Sequence, residues 1–476
     1  MKLRNSMGGR LEEFEPLDPA RVGIYVCGPT VYGDSHLGHA KSYVSFDVLV
    51  RYLRHTGFAV RYVQNITDVG HLSENSEFGE DKIQRQAALE RVEPLELAER
   101  YTRSYFEDMD ALGNLRPDIS PRASGHIPEQ IELVRTLLSR GHAYRSGGCV
   151  YYSVRSFPGY GKLSGRRLDE LLAGARVEVQ ENKRDPLDFA LWKKADGGHI
   201  LKWRSPWGWG YPGWHLECSA MAMRYLGETI DVHGGGLENI FPHHECEVAQ
   251  SEAATGKPFA RFWLHNNMVT VDGRKMGKSL GNFVALKDIF ARFDPAVVRL
   301  YILRSHYRSP LDFTEEGLRS ARSAFERLSE LRTRLARTAG EGAGSDAAAD
   351  LAASLSRSFR ERMDDDLDTP GALAAVFDFV RAANSMLDGG SGAGDASMLR
   401  DLIEDLCGGV LGIARRQDRD VLETGQEKLV EALSLARSAL RGSRLFREAD
   451  EIRRIVAEAG YSVRDLPDGT SLIKKS

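Results

Sequence analysis

At 476 residues, with 42% apolar and 28% charged side chains, the sequence has the make-up of an ordinary globular protein of two to four domains. Five cysteines, an odd number in so long a chain, do not make the pattern of a disulfide framework and point to a cytoplasmic protein; the first residues hold no apolar core and so do not read as a signal peptide, and no apolar run approaches membrane-spanning length. The net charge of -4 gives no whole-chain nucleic-acid signal, yet a basic stripe can sit on an acidic protein, so an RNA partner stays open.

Arg21 to Cys27 reads as a β-branched, apolar strand. It ends in Cys27-Gly28-Pro29, a sharp reversal that implies a close approach to the backbone. Asp34 and Ser35 are N-cap types for a helix from His36 to His55, stopped by Gly57, and Phe58 to Val63 is a second strand. Strand, glycine turn, helix and strand form a βαβ unit, which implies a parallel sheet. Gln84 to Leu112 is helical and interrupted at Pro94.

From Pro117 to Asp196, short strand patterns such as CVYYSV and turn-rich pieces such as FPGYGKLSGRR indicate an inserted α+β subdomain. The α/β pattern resumes with TIDVHGGG and FWLHNNMVTV. Beyond Asp294 the chain turns helical, broken by TAGEGAGSDAAAD and DGGSGAGDAS. Thr424 to Ser476 holds two short helices and a terminal hairpin. The expected division is residues 1–116 and 197–293 for the two halves of a Rossmann-like α/β domain, 117–196 for the insert, 294–423 for a helical bundle, and 424–476 for a small C-terminal segment.

Three constellations carry chemistry. His36-Leu-Gly-His39 opens a helix after a glycine turn, where unpaired N–H groups and the helix dipole suit a phosphate. The two histidines share a face, and Gly38 leaves room for a flat group. In DGRKMGKSLGN, Lys275 and Lys278 are point charges on flexible stems, suited to phosphates that move during a reaction. The two ends of a split α/β sheet can converge on one nucleotide. Finally, His243 and Glu247 lie four apart on a helix that begins near Pro242. With Cys27 and Cys218 they form a candidate mixed sulfur, nitrogen and oxygen set for zinc, in competition with His244, Glu245 and Cys246.

In order along the chain, these motifs resemble those of the class I aminoacyl-tRNA synthetases, and closely those of the cysteine-specific family. HLGH is similar to the HIGH signature, and KMGKS, Lys275 to Ser279, to KMSKS with Gly277 for the first serine. YVCGPTVY, NITDV, YGKLSGR, DPLDFALWK, PGWHLECSAM and HGGGLENIFPHHECE resemble that family from Ile24 to Asn282. ADEIRRIVAEAGYSVRDLPDGT resembles its anticodon-binding end.

The resemblance implies that L-cysteine is activated by ATP and passed to tRNA(Cys). It implies one Zn2+ per chain on Cys27, Cys218, His243 and Glu247, Mg2+ with ATP, and a monomer. It places His36, Gly38, His39, Lys275, Lys278 and Glu238 against ATP, the histidines and lysines being catalytic, and Gly28, Thr67 and Trp214 against the amino acid. The departures are Cys246 where asparagine is expected, Glu238 at an aspartate position, and an extra loop before Asp81-Lys82-Ile83. Two other readings share the motifs: a ligase joining cysteine to an amino-sugar, as in mycothiol synthesis, and a non-catalytic RNA-binding paralogue. The intact histidines and lysines oppose the second.

Overall fold

The computed structural model describes residues 1–70, 81–170, 182–277, 281–413, 433, 436–441, 443, 445–458, 461–465 and 471–475. The extra loop before Asp81, and Lys278 with it, lie outside these residues. Two compact units are present, Met1–Ile413 and Ala414–Ser476.

In the first unit, β1 (Lys2–Asn5) and β2 (Arg10–Glu13) make an antiparallel hairpin. β3 (Val22–Val26) is buried at all five positions and leads through Cys27 to α1 (Leu37–His55) and β4 (Val60–Gln64). α2 (Lys82–Glu90) and α3 (Pro94–Ala111) follow. Arg91, in the left-handed region at φ 56°, closes α2, and Pro94 starts α3, so the helix break expected at Pro94 is found.

α4 (Ile127–Ser139) packs with an antiparallel sheet of order β5-β6-β7-β9-β8, made of β5 (Ala143–Ser146), β6 (Cys149–Tyr152), β7 (Phe189–Lys194), β8 (Trp203–Ser205) and β9 (Gly208–Pro212). This sheet crosses the expected end of the insert at Asp196. β9 pairs back onto β7, Lys194 standing opposite Gly210, and β8 pairs on the far edge of β9, so the sheet ends at Pro212.

α5 (Trp214–Leu226), β10 (Ile230–Gly236), α6 (Glu245–Thr255) and β11 (Ala260–Asn266) complete the α/β domain. Its sheet runs β11-β10-β3-β4 with every pair parallel, as the βαβ reading expects. Helices over both faces explain why β3 and β10 read as unbroken buried runs rather than alternating ones. A three-stranded sheet follows, β12 (Val269–Val271) between β13 (Arg274–Lys275) and β14 (Leu311–Phe313).

The α-helices that follow among the described residues of this unit are α7 (Leu286–Phe290), α8 (Pro295–Leu303), α9 (Glu315–Thr338), α10 (Asp346–Asp364), α11 (Thr369–Asp388) and α12 (Ala393–Ile403). They share one apolar core with α1: Leu49, Val298, Phe359 and Val376 are all buried in it. Arg299, fully buried on α8, ties the parts together. It donates to Asp47 on α1, to the Asn114 side chain (2.7 Å) and to the Leu411 carbonyl (2.6 Å).

The second unit begins ten residues ahead of the boundary expected at Thr424. It holds α13 (Phe446–Glu458) and a hairpin of β15 (Tyr461–Asp465) with β16 (Ser471–Lys475), the terminal hairpin expected from the sequence. Among the described residues no helix is long and apolar enough to cross a membrane.

Candidate active site

The parallel sheet explains the reversal after Cys27. Adjacent parallel strands β3 and β4 both end at one edge, and the segments beyond them run side by side, Thr30 bridging to Thr67. A Cβ on Gly28 would lie 1.5 Å from the carbonyl oxygen of Asn65, so only glycine fits. The approaching backbone is that of NITD. Asn65 uses its side chain three times, accepting from the Gly28 N–H (2.8 Å) and the Cys218 thiol (3.8 Å) and donating to the Thr67 hydroxyl (3.0 Å). This residue fixes both Cys27 and Thr67; the sequence offers NITDV as a motif, but only the fold shows that its first residue makes these bonds.

Cys27 and Cys218, on α5, stand with their sulfurs 3.8 Å apart. Two sulfurs on one tetrahedral zinc stand about 3.8 Å apart, given Zn–S bonds of about 2.3 Å. His243 Nε2 lies 3.0 Å from Glu247 Oε1, the i, i+4 pair at the start of α6. The far atoms of this pair are engaged: His243 Nδ1 lies 3.0 Å from His215 Nδ1, and Glu247 Oε2 lies 2.8 Å from His233 Nε2. Ligating histidines and carboxylates are held this way by their outer atoms. The four donor atoms fall within 4.8 Å of one another and are buried, so the set fits a zinc ion.

A second grouping, Cys27, His233, His244 and Glu247, satisfies the same distance limit. His244 Nε2 lies 3.2 Å from Cys27 Sγ, with its Nδ1 2.8 Å from His265 Nε2. The two groupings differ in access. Cys27, Cys218 and His243 line a cavity of about 340 Å3, whereas His233 and His244 do not. A metal that receives a substrate needs a position open to that cavity. The other competitors point elsewhere: Glu245 accepts from the Gly161 and Ser164 N–H groups (2.9 and 2.7 Å), and Cys246 meets the Tyr160 hydroxyl at 3.4 Å.

Electrostatics suit a cation here. Burial works against the Glu247 carboxylate, but His233 and His243 outweigh it and hold its pKa at about 2. A hydrogen bond from Cys27 draws the Cys218 thiol down to about 6 against the effect of burial. Cys27 itself is pushed up by burial and by Cys218, as expected for two thiols sharing one proton. Trp214, the first residue of α5, stacks on the His243 ring with centroids 4.3 Å apart.

Across the same cavity lie His36, Gly38 and His39. The helix start differs from its sequence reading. The N-cap is His36, not Asp34 or Ser35: its Nδ1 accepts from the Gly38 and His39 N–H groups (3.1 and 3.3 Å), and His39 Nδ1 accepts from the His36 N–H (3.3 Å). The Leu37 N–H goes to the Val284 carbonyl (3.2 Å). The backbone donors expected to meet a phosphate are therefore satisfied within the protein. A neutral imidazole that accepts at Nδ1 carries its proton at Nε2, which turns the stacked rings (3.7 Å) into the donors of this helix end. The room expected beside Gly38 is partly taken by the His36 ring, 2.9 Å from where a Cβ would be.

Asp34 bonds instead to Ser104 and Lys287, both at 2.7 Å. Glu238 lies in a short turn over residues 237–239 and lines the cavity, as do Gly28, Thr67, Asn267, Met268 and Met276. The backbone of Lys275 forms β13, opposite Thr270.

Residues 13–323 match the family of tRNA synthetases class I (C) catalytic domain, and residues 358–415 match the DALR domain. A cysteine–tRNA ligase of Chlorobaculum tepidum is 54% identical, over 100% of this chain and 99% of its own. One of Thermus thermophilus is 51% identical, over 98% of this chain and 97% of its own. Among solved structures, a methionyl-tRNA synthetase of Mycobacterium tuberculosis bound by methionyl-adenylate has a TM-score of 0.60 at 16% identity, covering 84% of this chain and 92% of that one; at such identity the likeness is one of fold. The full-length relatives and the catalytic-domain match together show that the chain belongs to the cysteine–tRNA ligase family of class I tRNA synthetases.

Proposed function

We propose that the chain activates L-cysteine with ATP and transfers it to tRNA(Cys). In the first step a carboxylate oxygen of cysteine attacks the α-phosphorus, the bond to the β-phosphate breaks, and cysteinyl-adenylate and pyrophosphate result. In the second, the 2′-OH of the terminal ribose attacks the acyl carbon, gives up its proton, and AMP leaves. No covalent enzyme intermediate is needed, so the protein works by positioning and by stabilising charge.

The single observation behind this reading is one cavity that joins the Cys27, Cys218 and His243 donors to the His36–His39 helix end. Cys27, Cys218, His243 and Glu247 would hold the zinc ion, whose chemistry when bound is to take the substrate sulfur as a thiolate. A pocket judging shape alone gives only about 10²-fold discrimination between such close analogues, whereas a hydroxyl ionises far less readily than a thiol. Selection against serine then needs no second hydrolytic site. Gly28, Thr67 and Trp214 hold the rest of the amino acid. His36 and His39 donate from Nε2 to phosphate oxygens, Glu238 meets the ribose, and Lys275 and Lys278 follow the departing pyrophosphate, with Mg2+ accompanying ATP. The segment 424–476 serves tRNA.

The test is cysteine-dependent exchange of labelled pyrophosphate into ATP, followed by charging of tRNA(Cys). Both are expected, with serine inert in exchange. Zinc-loaded protein that shows no cysteine-dependent exchange would overturn the reading. Exchange without charging would move it to a small-molecule cysteine ligase.

A further inference from the structure

Lys41 lies on α1, two residues past His39, and is 1% exposed. A buried ammonium ordinarily sits beside a carboxylate, because desolvating it alone is costly. Here, among the described residues, its hydrogen bonds go to two backbone carbonyls, those of Met268 (3.3 Å) and Ser309. Burial draws its pKa down to about 8.

The two carbonyls are not arbitrary. Met268 immediately precedes β12, and Ser309 stands two residues before β14. These strands pair in parallel, Val269 opposite Leu311. The Met268 carbonyl also accepts the Leu311 N–H at 3.1 Å, so the ammonium grips the first rung of that pairing. β13 hangs on the other edge of β12 and leads directly into KMGKS. Neighbouring bonds point the same way: the Ser42 hydroxyl to Asn266 Oδ1 (2.9 Å), and the Asn267 side chain to the Arg308 carbonyl (2.9 Å). One turn of α1 thus carries His39 toward the cavity and holds the base of the lysine loop.

We infer that Lys41 is a positioning residue, a cationic tether that sets the sheet bearing Lys275 against the helix bearing His36 and His39. This rests on the reading above, that both ends converge on ATP. A hydrophobic side chain of similar length could fill the site but could not grip both carbonyls. Arginine, with five donors on a stem of similar reach, could.

The experiment compares Lys41→Met and Lys41→Arg with the parent protein. In Lys41→Met, kcat for pyrophosphate exchange should fall about tenfold or more, while the cysteine KM and zinc content stay within about twofold, because a misplaced group costs rate before it costs binding of the other substrate. Trypsin should cut faster after Arg274, Lys275 or Lys278 than in the parent. Lys41→Arg should restore most of the rate and the protection. The inference is overturned if Lys41→Met keeps the parent's kcat and digestion rate, if cysteine KM and zinc content change as much as kcat, or if the Arg variant is as impaired as the Met variant. Should Lys41→Met not fold, the Arg variant still decides. The digestion pattern needs no activity, so a parent without exchange would refute the proposed function while leaving the tether testable.

Discussion

At the scale of single residues, the site depends on Asn65 as much as on the side chains that face the cavity. Its removal leaves the Gly28 N–H without its acceptor beside Cys27, at a cost of about 1–3 kcal/mol for a buried unsatisfied donor. Asn65→Ala should raise the cysteine KM in pyrophosphate exchange by about tenfold or more, with the ATP KM nearly unchanged, since Thr67 loses its partner as well. Equal rises in both constants would contradict this. Asp108, 4% exposed on α3, has one oxygen without a hydrogen bond, and burial lifts its pKa to about 6 against the pull of Lys287. Its folded pKa exceeds its unfolded one, so the folded state binds the proton more tightly, and stability drains away as pH rises from about 4 to about 6. Asp108→Asn should therefore stabilise the protein by about 1–3 kcal/mol above pH 6 and by little near pH 4, measured by urea unfolding at both pH values. Equal gains at the two pH values would refute the cause. Such a residue is hard to read from sequence: Asp108 sits in a charged helix, and only the tertiary packing that brings it beside Ser35 buries it.

At the scale of elements, α1 shows both what local pattern reveals and what it misses. Its length, its end near His55 and its place between two parallel strands follow from hydrophobic spacing and the Gly57 stop. Its cap does not, because Asp34 and Ser35 are stronger N-cap types than histidine. Tertiary bonds decide it: Lys287 and Ser104 claim Asp34, and the Leu286 N–H claims the Ser35 carbonyl. The antiparallel sheet of the insert continues past the expected end at Asp196 for a related reason. β8 has three residues, too short to show alternation, and its membership is settled by pairing with β9. The cap also separates structure from chemistry at His36. Asparagine caps well but offers no imidazole N–H, so His36→Asn should keep the melting temperature while exchange kcat falls about 10²-fold. His36→Ala should lose both, with about 1 kcal/mol of stability gone. A His36→Asn variant with parental kcat would restrict this residue to capping.

At the scale of the molecule, the Met1–Ile413 unit contains every described residue of the cavity, and Ala414–Ser476 forms a unit of its own. In that unit Arg447, Arg453 and Arg454 are exposed, with Arg454 2.7 Å from Glu451, and Arg441 lies over the Phe446 ring at 6.0 Å. Arginine beside an exposed aromatic ring suits unpaired bases of an RNA loop. A chain ending at Ile413 should retain cysteine-dependent exchange within about twofold and lose most charging of tRNA(Cys). Undiminished charging would remove tRNA from the role of that segment. The zinc set shows where sequence and structure divide the work. Cysteines near strand ends and an i, i+4 pair nominate Cys27, Cys218, His243 and Glu247 with His244 as a competitor, but the part of His233 in a rival grouping is visible only in three dimensions. What separates the two is access to the cavity, so the direct measurement is zinc X-ray absorption with and without L-cysteine. Two sulfur neighbours are expected in the free protein, from Cys27 and Cys218, and three when cysteine is bound. A single sulfur in the free protein, or a count that cysteine leaves unchanged, would contradict it.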